Sequence, residues 1–203
     1  TTALFNAYDG DSSREDDSYL LAAQVGFESE GEDAEYGLAL GYLHGNESSD
    51  ESIAGINNGD YDIQIVDLYG WFATSAGDVD LGLFGHYAMN IGADGASEVT
   101  GQQADDNDQS WSLGGSAKMG KVKAKYAYKY IEAEGALDSL NDSDFGDHVN
   151  GTNVEGHALS LAYSFNKNIT FGVTGLFYEA IETSASNTNP EADLYQFDLS
   201  YKF

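Results

Sequence analysis

Apolar and polar residues alternate along most of this chain with a period of two. The last segment is the clearest example: Tyr195, Phe197, Leu199, Tyr201 and Phe203 share one face, and Gln196, Asp198, Ser200 and Lys202 share the other. Strict alternation over this length predicts a β-strand with one apolar and one polar side. About 10 residues is also the length with which a tilted strand crosses a bilayer.

Ten segments of this character are predicted to be strands: Thr2–Tyr8, Tyr19–Phe27, Glu35–His44, Tyr61–Thr74, Asp78–Asn90, Ser110–Met119, Lys121–Ile131, Gly156–Phe165, Asn168–Tyr178 and Asp193–Phe203. The fourth is ambiguous, because both of its faces are partly apolar. Its odd-numbered face would include Asp67, and a carboxylate that faces lipid is costly near the middle of a membrane. We therefore predict that the even-numbered face, with Val66, Leu68 and Phe72, is the apolar one.

Long and short connections between these segments alternate along the chain. The long ones are 9–18, 45–60, 91–109, 132–155 and 179–193, and the short ones are 29–34, 75–77, 120 and 166–167. In an antiparallel up-and-down sheet, this places every long loop at one end and every short turn at the other, as in transmembrane barrels. The pattern predicts an all-β, up-and-down antiparallel transmembrane β-barrel of about ten strands in a single domain, residues 1–203.

The first segment is an exception in length. It has seven residues, fewer than the 9–11 that a strand needs to cross a membrane. Since sheet edges are not tolerated in lipid, we expect either a barrel that closes with one short strand or the carboxy-terminal part of a larger barrel, incomplete at its amino terminus.

The strands of soluble β-sandwiches and lipocalin-like barrels also alternate apolar and polar residues, but there the apolar face points inward. Here the polar face is rich in small residues: Ala22, Gly26, Gly37, Ala39, Gly41, Gly82, Gly114, Ser116, Ser160, Gly172 and Thr174. Tyrosines lie near the strand ends of the apolar face, as in interfacial aromatic girdles. The distribution favours an apolar face turned towards lipid.

The charge of the chain excludes several classes of function. Eight basic residues oppose 35 acidic ones, for a net charge of −27. Nucleic acid is not an expected partner, because its phosphates require Lys and Arg, and simple electrostatic adhesion to an anionic membrane surface is equally disfavoured. The absence of cysteine excludes disulfides and thiolate metal sites.

The acids are concentrated in the long connections, which with their flanks hold 26 of the 35. One hypothesis is that these loops bind Ca²⁺ or Mg²⁺ and bridge lipopolysaccharide phosphates, because carboxylates suit hard cations. Asp142, Asp144 and Asp147 are the weak calcium candidates, and they do not complete a Ca²⁺ loop pattern. The simpler interpretation, which we favour, is a solvated acidic surface.

Five of the eight basic residues fall within twelve positions: Lys118, Lys121, Lys123, Lys125 and Lys129. We predict that all five lie on the polar faces of the sixth and seventh strands. They would form a lumenal strip that steers anions, or they would balance charge by pairing with Asp78, Asp80 or Asp198, or with an inward-folded loop. Together with Asp80, His86 and Asp198, they are the predicted pore-lining residues.

No catalytic constellation is visible. His44, His86, His148 and His157 are scattered, and the chain has no Ser-centred nucleophile motif, phosphate-cradling Gly loop or His pair with metal spacing. The sequence therefore predicts a protein that is not an enzyme.

Five further stretches are distinctive: residues 126–134 (YAYKYIEAE), 142–146 (DSDFG), 151–157 (GTNVEGH), 163–174 (YSFNKNITFGVT) and 194–203 (LYQFDLSYKF). They resemble the carboxy-terminal region of a putative porin family of Gram-negative outer membranes. The aromatic residue Phe203 is similar to the one that ends the last strand of bacterial outer-membrane barrels. The resemblance implies a β-barrel pore in the bacterial outer membrane, and it carries no catalytic residues to this chain.

Two functions remain open at this point. The first is a water-filled channel for passive diffusion of small hydrophilic solutes or ions. The alternative is a non-channel barrel whose acidic extracellular loops bind a partner, a surface or divalent cations. In either case the expected partners are outer-membrane lipid and lipopolysaccharide, and the Tyr- and Gly-rich outer face is compatible with a homo-oligomer such as a trimer. No cofactor is expected beyond loop-bound Ca²⁺ or Mg²⁺.

Overall fold

The computed structural model describes residues 2–8, 18–45, 63–94, 106–137, 144–146, 151–182 and 191–203, with the backbone alone for 2–8, 18 and 19. Within these ranges the chain forms ten β-strands: β1 (Thr2–Tyr8), β2 (Ser18–Glu30), β3 (Ala34–Gly45), β4 (Ile63–Ala76), β5 (Val79–Asn90), β6 (Gln109–Met119), β7 (Val122–Ile131), β8 (Val154–Ser164), β9 (Ile169–Ala180) and β10 (Glu191–Tyr201). Each strand coincides with a predicted segment, within a few residues at either end.

All ten strands belong to one antiparallel sheet, in which every strand pairs with its neighbours in the chain. In the described residues no ladder joins β1 to β10, so the sheet is open and has the form of a partial barrel. The prediction of an all-β, up-and-down antiparallel architecture is confirmed.

The short connections are tight turns at one end of the sheet. Gly77 and Gly120 adopt positive φ angles of 63° and 57°, which glycine reaches at no steric cost. They lead β4 into β5 and β6 into β7 through two residues each, as two-residue hairpins require. In the turn from β2 to β3, the Gly31 amide donates a hydrogen bond of 2.9 Å to the Ala34 carbonyl.

The register of β4 settles which of its faces is apolar. Val66 lies opposite Tyr42, and Leu68 lies opposite Leu40, so the even-numbered residues share the apolar face of β3. Asp67 pairs instead with Gly41 and, on the other side, with Ala88. The choice of the even-numbered face is confirmed.

The apolar face of the sheet is not covered by any described part of the chain. Val25, Phe197 and Leu199 are 67%, 70% and 72% exposed, although each lies within a strand. Uncovered apolar surface of this extent marks contact with another apolar phase or partner. No helix capable of spanning a membrane occurs among the described residues.

The polar face is concave. A cavity of about 580 Å³ is bounded at once by Gln24 of β2 and Lys129 of β7. In a flat sheet these two strands would lie about 24 Å apart, at about 4.8 Å per step. The sheet therefore curls around its polar face, which we call the inner face.

Candidate functional site

Glycines on the inner face make room for large side chains of the neighbouring strand. A Cβ at Gly41 would overlap the Asp67 carboxylate, and one at Gly114 would overlap the ring of Phe84. Each pair joins residues on adjacent strands, so the large side chain lies flat across the glycine. The inner wall is consequently smooth at these points, and the interior stays open.

A cavity of about 580 Å³ lies on the inner face towards the long loops. Its polar lining includes Gln24, Asp67, His86, Ser112 and Lys129. The His86 Nε2 and Asp67 Oδ1 atoms are 3.9 Å apart, and both side chains are partly exposed to the cavity. The site therefore presents donors and acceptors of both charges to a small hydrophilic solute.

One side of this cavity is closed by residues 133–137, which follow β7 and fold back over the inner face. The Glu134 amide donates a hydrogen bond of 2.9 Å to the Asn107 carbonyl. Leu137 is 2% exposed and belongs to a buried apolar cluster with Leu20, Ile63 and Ile65. A long loop thus reaches from β7 across to β2 and β4 and narrows the interior.

A second inward contact is made by residues 144–146. Phe145 is fully buried, its ring centroid lies 5.2 Å from that of Tyr178, and the Lys129 Nζ atom lies 4.5 Å above its ring. The Gln196 amide donates a hydrogen bond of 2.6 Å to the Asp144 carboxylate. These contacts attach the same long loop to β7, β9 and β10.

Four of the five clustered lysines lie on the inner face, and their surroundings differ. Lys118 forms an ion pair of 3.3 Å with Asp80, as the charge-balance interpretation expects for that residue. Lys125 lies over the ring of Phe84, at 5.0 Å from its centroid. Lys123 stands directly opposite Lys118 across the two strands, and like charges in that position repel.

The prediction that Lys121 lies on a strand face is wrong. Gly120 takes a positive φ, so that Gly120 and Lys121 form the turn between β6 and β7. The Lys121 ammonium donates a hydrogen bond of 2.9 Å to the Phe165 carbonyl at the next short turn. Turn length is not visible in the alternation, which runs through Lys121 without a break.

The other predicted site residues divide between the inner face and the loops. Asp80, His86 and Asp198 share the inner-face register with Lys118 of β6 and Lys123 of β7. Of the weak calcium candidates, Asp144 bonds to Gln196, while Asp142 and Asp147 lie outside the described residues. Among the residues that the structure describes, no three His, Asp or Glu side chains are grouped to hold a metal ion.

A second concave site at the short-turn end was not predicted. Its basic residues are Lys118, Lys121, Lys167 and Lys202, which line a groove of about 420 Å³. Lys167 and Lys202 are distant from the lysine cluster in sequence, and the pairing of β7 with β8, β8 with β9 and β9 with β10 brings them near it. A sequence signal existed, because Lys167 lies in a short turn and Lys202 lies at the same end of the last strand.

The charges at the short-turn end are divided between two halves of the sheet. Seven acids belong to the ends and turns of β2–β5: Glu28, Glu30, Glu32, Asp33, Glu35, Asp78 and Asp80. The opposite half, β6–β10, carries five lysines at this end: Lys118, Lys121, Lys123, Lys167 and Lys202. This rim is therefore negative on one side and positive on the other.

Comparison with known proteins agrees with this architecture. A family described as putative porin matches residues 61–203, which is more than half of the chain. Searches among curated proteins and among solved structures found no match. The uncovered apolar face, the hydrophilic concave face and this match lead to one assignment: the chain belongs to the putative porin family.

Proposed function

We propose that this protein is an outer-membrane porin, a water-filled channel for passive diffusion of small hydrophilic solutes or ions. The observation that carries the proposal is the division of the sheet into an apolar face that is left uncovered and a concave face of small and polar residues. An outward apolar surface with a polar interior is the arrangement of membrane channels built from strands. Family membership supports the same function at a coarse level.

Residues 133–137 and 144–146 would set the width of this channel on the loop side. Both segments lie on the inner face, and both are held by buried apolar side chains, Leu137 and Phe145. Lys129, whose ammonium lies over the Phe145 ring, and the Asp67–His86 pair supply charge to the same part of the interior. Solutes would pass between these elements, and rows of charged side chains at such a point set selectivity.

The test is conductance in planar bilayers, with the full chain purified from membranes. We expect discrete single-channel steps, and a preparation of folded protein without any steps would refute the channel. Replacing Lys123, Lys125 and Lys129 by Glu should weaken or reverse anion preference, because the strip then repels anions. The reversal potential in a salt gradient measures this directly.

Two further variants make the selectivity test specific. Arginine at the same three positions keeps the charge and should keep the preference. Lys123→Glu with Lys125→Glu leaves the contact between Lys129 and Phe145 intact, so a change in preference cannot then come from a displaced loop. Reversal potentials that match the unmodified protein in both Glu variants would show that the strip is structural.

One observation favours the alternative of a non-channel barrel. Leu137 and Phe145 belong to buried apolar clusters at the loop end of the interior, and such packing also suits a closed barrel whose acidic loops bind a partner, lipopolysaccharide or divalent cations. Folded protein without conductance, together with heat released on Ca²⁺ titration, would support this second function.

A further inference from the structure

We propose that the groove at the short-turn end of β6–β10 is a binding site for a phosphate group. It is formed by Lys118, Lys121, Lys167 and Lys202, at the opposite end of the sheet from the cavity under the long loops. The proposal concerns binding alone, and it holds whether or not the barrel conducts.

The groove is lined by basic residues, whereas the protein as a whole is strongly acidic. The chain has 35 acidic and 8 basic residues, yet four of those eight line this one groove, and none of the described residues lining it is acidic. The rest of the lining is polar or small: Gly120, Ser164, Asn166, Asn168, Thr170 and Ser200. A chain with this net charge concentrates its lysines here against the general trend.

The lysines of the groove keep unused hydrogen-bond donors. The Lys121 ammonium has three N–H groups, and one of them donates to the Phe165 carbonyl. Lys118 is paired with Asp80, but both side chains are more than half exposed, so the pair is weak. In the part of the chain that the structure describes, no ion pair joins Lys121, Lys167 or Lys202 to a carboxylate.

The backbone that carries two of these lysines is held in place before any ligand arrives. The Asn166 carboxamide oxygen accepts hydrogen bonds from the amides of Asn168 and Ile169, at 2.8 and 3.1 Å. The Asn168 side chain donates in turn to the Lys202 carbonyl at 2.6 Å. The turn bearing Lys167 is thereby tied to the strand end bearing Lys202.

The far side of the groove is tied in the same way. The Ser164 amide donates to the Lys121 carbonyl at 2.9 Å, and the Ser164 and Thr170 hydroxyl oxygens are 3.1 Å apart. From β7 to β10 the strands span about 14 Å, so extended lysine side chains from both sides can reach one ligand between them.

This chemistry fits a phosphate group better than a simple halide. Phosphate offers several strong acceptor oxygens, and lysines together with hydroxyl and amide donors can satisfy them from different directions. The acids of β2–β5 repel the ligand from the other half of the rim, so it is confined to β6–β10. The phosphate could belong to a free solute or to a lipid headgroup at the rim.

The test is titration of the full chain, folded in nonionic detergent, with inorganic phosphate by isothermal calorimetry. Sodium chloride at equal ionic strength provides the reference. We expect saturable binding of phosphate and none of chloride. Lys167→Gln with Lys202→Gln should weaken binding about tenfold or more, since charge-assisted hydrogen bonds are lost, whereas arginine at both positions should preserve it.

The matched control is Lys125→Gln with Lys129→Gln, which removes the same charge from the inner face outside the groove. Phosphate affinity should survive in this variant. Equal weakening in both double variants, or heats no different from chloride, would overturn the proposal. Micelles doped with phosphatidylglycerol distinguish the sources: competition with phosphate assigns the groove to lipid headgroups, and undisturbed phosphate binding assigns it to a free solute.

Discussion

At the scale of single residues, the inner wall depends on glycines beneath large side chains. Gly114→Ala would push its new Cβ into the Phe84 ring, which also supports Lys125. We expect the free energy of unfolding to fall by about 1–3 kcal/mol, as overpacking does. Gly172→Ala is the control, because the nearest atom to its Cβ is the Asp198 Cβ, at an ordinary 3.8 Å.

Urea unfolding in lipid vesicles, followed by tryptophan fluorescence, measures both variants. Equal stability of Gly114→Ala and Gly172→Ala would show that the Phe84 ring and the Tyr126 carbonyl, which would lie 2.6 Å from the new Cβ, move aside at no cost and that the glycine is not required at this position.

Asp67 is an example of a single residue from which the orientation of a whole strand could be predicted. Its charge predicted the inward face of β4, and through the strict period of two it fixed the face of every other residue in that strand. Lys167 and Lys202 show what the sequence of a single strand cannot reveal. Their approach to Lys118 and Lys121 depends on the order in which β6–β10 pair, which the alternation within a single strand does not record.

At the scale of elements, Phe145 is the anchor that fastens one loop to the inner face. Phe145→Ala should release residues 144–146 from Lys129 and Tyr178, because the buried ring is lost. We expect single-channel conductance to rise, since the interior widens on the loop side. Phe197→Ala is the matched control, because Phe197 is 70% exposed on the outer face.

An unchanged conductance in Phe145→Ala, in protein that folds normally, would mean that this loop does not limit the channel. Thermal unfolding of the same samples separates a widened channel from a damaged barrel.

The strands could be predicted as elements, whereas the inward course of the loop could not. Alternation predicted the position of every strand, because the pleat gives a strand a period of two, and in β4 the charge of Asp67 was needed as well to choose the apolar face. Residues 133–137 and 144–146 show no regular alternation of apolar and polar residues, because one or two tertiary contacts fix the position of each segment. Leu137 and Phe145, large apolar residues in an acidic loop, were the available signal.

At the scale of the whole molecule, the stability cost of a charged substitution on the outer face should depend on its depth in the membrane. Leu113 lies in the middle of β6, and Met119 ends the same strand on the same face; both are 62% exposed. Leu113→Arg should cost about 2–4 kcal/mol of stability in a bilayer, and Met119→Arg about 0–1 kcal/mol, because the penalty falls towards the interface.

Unfolding titrations in phosphatidylcholine vesicles measure the two values. Equal penalties at the two positions, or no penalty at Leu113, would contradict a lipid environment for this face.

The pairing of each strand with only its predecessor and successor also has a kinetic consequence. Every extensive contact between strands in the described sheet joins segments that are adjacent in the chain, so each strand pairing closes only the one connection between its two strands. Such a sheet can grow by adding one hairpin at a time, because each new strand needs only the edge left by the previous one. Its energetics then approach a sum of nearest-neighbour terms, and damage to one hairpin should leave the register of distant hairpins unchanged.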